Sequence, residues 1–133
     1  VNKKRIEELI PKAYEALKNA GIAKLNEDTK LTEISKTFRG YISSFGAAIA
    51  MGSLKAAVAF YSKQEGALKS RDTLIKIIYV LINDNLNGTD FNNIPQTALY
   101  DYVDKAPNES EVKEEIYNAA IALKLAMNLY KIV

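Results

Sequence analysis

Apolar residues recur along most of this chain at intervals of three and four, the spacing of helices that bury one face. Ile6, Leu9, Ile10, Ala13, Tyr14 and Leu17 form the first stripe, which stops near Asn19-Ala20-Gly21, a helix-ending combination. Pro11 lies inside that stripe. It lacks an N–H and crowds the carbonyl of Glu7, so a kink or a split into two short helices is expected there. A second helix is expected from about Asn26 to Thr29 as far as Ala50, with Leu31, Ile34, Phe38, Tyr41, Ile42 and Phe45 on its buried face. Gly52-Ser53 then breaks the pattern, and Ser53 is placed to cap a third helix running through Lys63. Its stripe is Leu54, Ala57, Val58 and Tyr61, and Gly66 closes it.

A fourth helix opens at Ser70 or Arg71-Asp72 and carries Leu74, Ile75, Ile77, Ile78, Val80, Leu81 and Ile82. It is apolar nearly all round, so it must be covered on several sides and belongs at the centre of a bundle. Its β-branched residues compete for a strand, but length and helical neighbours favour a helix. Between Asn83 and Pro107 the residues Asn85, Asn87-Gly88, Asp90, Asn92-Asn93 and Pro95 are loop chemistry, with a short helix from Gln96 to Val103. Asn108-Glu109-Ser110-Glu111 reads as a helix start. The last helix is expected to reach about Ile132 on two stripes, one of Val112, Ile116, Ala120, Leu123, Met127 and Tyr130, the other of Ile121, Leu125, Leu129 and Ile132. Two stripes imply more than one neighbour. No segment alternates as a strand would, so the expected fold is a single all-α domain over residues 1–133, a bundle of five to six helices.

Composition narrows the chemistry. The 133 residues include no Cys, which excludes disulfides, thiolate zinc sites, iron–sulfur ligation and cysteine nucleophiles. They include no His, which removes the commonest general base and metal ligand and every Ser-His-Asp arrangement. A protein that binds rather than catalyses is expected. The longest uncharged apolar-looking run, Tyr41 to Leu54, has 14 residues, short of the roughly 20 that span a membrane. No export segment is visible, and a soluble, cytoplasmic protein is expected.

The net charge of +2 hides an asymmetry. From Ile34 to Asn83 seven basic residues face two acids, and from Asp84 to Glu115 two basic residues face eight acids. No acid occurs from Ile34 to Gln64, so the lysines there lack the i,i+4 partners of a mixed solubilising face. A basic half of this kind suits a phosphate backbone. It also suits an acidic face on another copy, in head-to-tail stacking. Tyr41 and Tyr61 lie in that half, able to stack on bases but more readily placed at the rim of the core.

Other constellations carry little. Gly40, Gly46 and Gly52 follow no strand and precede no Gly-Lys-Ser/Thr, so they are not a phosphate loop. The run Gly46-Ala47-Ala48-Ile49-Ala50 instead allows close helix approach. The pairs Glu7/Glu8, Glu27/Asp28 and Glu114/Glu115 point about 100° apart on a helix and cannot converge as acid and base. The Gly52-Ser53 break is a weak helix-turn-helix candidate, because Lys55 alone is thin support for a recognition helix.

From Tyr41 to Lys63 the chain reads Tyr-Ile-Ser-Ser-Phe-Gly-Ala-Ala-Ile-Ala-Met-Gly-Ser-Leu-Lys-Ala-Ala-Val-Ala-Phe-Tyr-Ser-Lys. This resembles the small helical subunit of the type III-B CRISPR effector, the Cmr complex, in its Tyr-containing helix, its break at Met51-Gly52-Ser53-Leu54 and the helix ending Ala59-Phe60-Tyr61-Ser62-Lys63. The length, the helical plan and the Ala-rich last helix are also similar. The resemblance implies a non-catalytic, cofactor-free subunit. Copies of it would stack beside the other Cmr subunits, lining the groove that holds guide RNA and single-stranded target RNA. Lys36, Arg39, Lys55, Lys63, Lys69 and Arg71 would then contact phosphates without reading sequence, an assignment that rests on the charge distribution rather than on a family motif. A stand-alone helical adaptor and a small DNA-binding regulator are the alternatives.

Overall fold

The computed structural model describes residues 1–63, 71–83 and 91–133. Among them are six α-helices and a small three-stranded sheet, in the order α1 (Lys3–Asn19), β1 (Lys24–Leu25), β2 (Thr32–Ile34), α2 (Lys36–Met51), α3 (Leu54–Tyr61), α4 (Arg71–Ile82), a 3₁₀ turn (Phe91–Asn93), α5 (Ala98–Lys105), α6 (Glu109–Met127) and β3 (Lys131–Ile132). The fold is the expected all-α bundle. Gly66, Lys69, Ser70, Asn85, Asn87-Gly88 and Asp90 lie outside the described residues.

The helix starts follow their capping chemistry. Side-chain oxygens of Asn2, Ser35, Ser53 and Asn108 accept the backbone N–H of Arg5, Thr37, Ala56 and Glu111, at 3.0–3.3 Å. At the end of α1, Gly21 turns left-handed with φ +77°. The N–H of Ile22 then donates to the carbonyl of Leu17 and that of Gly21 to Lys18, a Schellman closure. Pro11 does not divide α1, which is one continuous helix. Pro11 and Glu7 are both exposed, so the carbonyl that loses its partner meets water.

The second helix begins later than its apolar spacing implies. Asn26 Oδ1 accepts the N–H groups of Asp28 (2.9 Å) and Thr29 (3.2 Å), and Lys30, at φ +62°, completes a tight turn. These local bonds outcompete a helical turn. The chain instead forms an antiparallel ladder, with Lys24 opposite Glu33 and Leu25 opposite Thr32, and Leu31 is exposed rather than buried. β3 adds in parallel on the other side of β2, so that Glu33 lies in register with a lysine on either neighbour, Lys24 and Lys131.

The last helix likewise stops short, at Met127. Asn128 is a weak helix former, and the residues beyond it gain bonds that another helical turn would not supply. Val133 N–H donates to Ile34 carbonyl at 2.9 Å, and the Tyr130 hydroxyl donates to Tyr14 carbonyl at 2.6 Å. The first expected stripe of α6 is buried throughout, but in the second Leu125 and Leu129 are exposed. α6 does meet several neighbours, namely α1, α2 and α4. Ala119, Ala122 and Ala126 are among its fully buried residues. At Gly46 itself a Cβ would meet nothing within 4 Å, although α2 packs on α6. A shallow groove of about 260 Å³ lies beside Gly46, between α2 and α6.

Leu74, Ile75, Ile77, Ile78 and Leu81 of α4 are buried, and α4 packs against each of the other five helices. The centre of the bundle is where the apolar run places it.

Burial, followed by the nearby Tyr14 and Glu15, holds the Tyr130 phenol well above the usual tyrosine range. The folded state thus favours the neutral phenol. Its contribution is intact below about pH 10, the unfolded value, and is lost as pH rises beyond it. Tyr130→Phe is expected to cost about 1 kcal/mol at neutral pH and to flatten the fall in urea midpoint above pH 10. Parallel declines for the two proteins would contradict this.

Candidate nucleic-acid interface

The five expected cations among the described residues do not form one patch. Lys36 and Arg39 occupy the first turns of α2, beside the sheet. Lys36 is exposed. Arg39 is half-buried, and its Nε is shielded from water with no acceptor among the described residues. α2 is roughly 24 Å long at 1.5 Å per residue, and Lys55 lies past its far end, in the first turn of α3. Lys69 is outside the described residues.

Lys55 is not a free cation. Its Nζ is 3.3 Å from Asp104 Oδ1 of α5, with both side chains about half exposed. The acid missing from the local sequence arrives from the acidic half of the chain, across the packing of α3 on α5.

Of the remaining cations, Arg71 is brought together with two aromatic rings. α3 buries Leu54, Ala57 and Val58, which turns Phe60 outward, leaving it 58% exposed. The Arg71 guanidinium, at the start of α4, sits 4.4 Å above the Phe60 ring and 5.4 Å from the Tyr61 ring centre. Tyr61 meets Phe60 and Phe45 edge-on, each at 5.3 Å, which ties the group to the middle of α2. Lys63 is exposed two positions beyond Tyr61. Arg39 is six residues before Phe45, roughly 9 Å along the axis of α2.

Tyr41 and Tyr61 are rim-of-core residues. Both are half-buried against the hydrophobic cluster, and Tyr41 packs edge-on to Phe38 at 6.2 Å. The ring that faces solvent is Phe60, which the sequence reading did not single out. The signal was present, because a stripe at 54, 57, 58 and 61 leaves position 60 on the outer side.

Chemically, this arrangement offers cations beside an exposed ring. Among the described residues no three acidic side chains come together to hold a metal ion. None of the described helices is long and apolar enough to cross a membrane. No known protein family matches this chain, nor does any curated protein or solved structure.

An ion pair as exposed as Lys55–Asp104 contributes little to stability. A double-mutant cycle with Lys55→Ala and Asp104→Ala is expected to return a coupling below about 1 kcal/mol in urea unfolding. A coupling of several kcal/mol would make the pair a structural clamp and remove Lys55 from any ligand-binding role.

Proposed function

We propose that this protein is a non-catalytic small subunit of a type III-B CRISPR effector, holding the backbone of guide or target RNA beside the other subunits and copies of itself. The observation that carries this reading is the group at the end of α3: exposed Phe60 with the Arg71 guanidinium over its ring. Exposed Lys63 lies just beyond it. Cations that track phosphates, combined with an aromatic on which a base can stack, are the parts that hold single strands without reading sequence. The resemblance of residues 41–63 supports the same reading. Sequence would be read by base pairing to the guide. Lys36, Arg39, Lys63, Lys69 and Arg71 are the proposed backbone contacts, with Lys55 available only in exchange for Asp104.

The test is the salt dependence of single-stranded RNA binding by the assembled complex. Each phosphate contact on a single strand contributes about 0.7 to the slope of log K against log salt. Arg39→Gln and Lys63→Gln are each expected to lower the slope by about that amount, with helicity and melting unchanged. Wild-type slopes in both would remove these cations from the function. Preference for one duplex DNA sequence would favour a regulator instead.

A further inference from the structure

Away from the basic residues, a groove of about 640 Å³ runs between α5 and α6, the size of pockets that hold several ligand groups. Its floor is apolar, with Pro95, Ala98, Ala106 and Val112 beside the rings of Tyr79 and Tyr102. The two rings meet edge-on at 6.3 Å. Asp101, Glu111 and Glu115 line it against one ammonium, that of Lys105.

Among the described residues those carboxylates meet neutral partners. Asp101 accepts a hydrogen bond from Thr97 Oγ1 at 3.1 Å, and Glu115 accepts one from the Tyr102 hydroxyl at 3.3 Å. Glu111 stands in the first turn of α6, where a carboxylate favours the helix dipole. All of these partners are neutral. Among the described residues none of the three carboxylates is in an ion pair, whereas their neighbour Asp104 is bound to Lys55.

We propose that this groove binds a basic peptide segment of a partner protein, with an arginine or lysine side chain laid along the floor. Such a side chain has an apolar stem that the Pro, Ala and Val residues cover, and a cationic head that the aromatic faces and the three carboxylates attract. The other occupants fit less well. A phosphate backbone meets a net negative rim, and a wholly apolar helix would cover charged groups without pairing them. This site goes beyond the RNA reading and stands without it.

The experiment is an NMR titration of the full ¹⁵N-labelled chain with acetyl-Leu-Arg-Ala-Leu-Arg-amide and with the same peptide carrying Gln for Arg. The expected result is saturable shifts at Tyr79, Tyr102 and Val112 with the arginine peptide, and binding about tenfold weaker with the glutamine peptide. Glu111→Gln combined with Glu115→Gln should weaken the arginine peptide about three- to tenfold, while Glu7→Gln on α1 leaves it unchanged. The two peptides read the same charge requirement on the wild-type chain should the double variant unfold. Absence of saturation in the groove, equal binding of both peptides, or displacement of the same resonances by a single-stranded RNA oligonucleotide would each overturn the proposal.

Discussion

A helix that is apolar nearly all round cannot stand at a surface, and α4 is such a helix. Leu74, Ile75, Ile77, Ile78 and Leu81 are buried on several sides of it, and each of the other helices contributes to the covering. The functional geometry descends from that requirement. Arg71, at one end of α4, is carried over the ring of Phe60 on α3. Tyr79, near the other end, is carried against Tyr102 on α5. The same central helix thereby supplies one residue to the cationic group and one to the acidic groove, and places them more than two turns apart.

The two ends of the chain are fastened by polar bonds that leave little unsatisfied inside. Asn118 is buried in α6, where its side-chain oxygen accepts the N–H of Asn2 at 3.1 Å. Tyr130 stacks on Tyr14 at 4.7 Å and nearly parallel, and Lys18 covers the Tyr14 ring at 4.4 Å. Most buried polar groups find a partner, and these do. These contacts hold α1 on α6 in register.

Much of the fold was legible because burial sets helical spacing directly. The stripes of α1 and α3, the caps at Ser53 and Asn108 and the central position of α4 all follow from residue pattern. The misplaced boundaries share a different cause. At residues 26–31 and after Met127, short-range side-chain bonds and a ladder between distant segments override an apolar period that continues past them. Tyr130 does not advertise its partner in the local sequence, whereas the turn partners of Asn26 are local and the apolar period masked them. Of the candidate site, the charge asymmetry was visible and its geometry was not. That Lys55 is paired depends on a contact with Asp104, 49 positions away. That Phe60 is the exposed ring depends only on the α3 stripe.

On the two proposals made above, a small helical scaffold with cations near a solvent-facing ring, and carboxylates around an apolar groove elsewhere, would hold two unlike partners. The central functional claim is that RNA is one of them. It is tested most directly by tagging the protein in its source cells, purifying it at low salt, and identifying the RNAs and proteins that remain bound. The account predicts short RNAs that share a repeat-derived end, together with several larger protein subunits. A single protein partner with no RNA would contradict it.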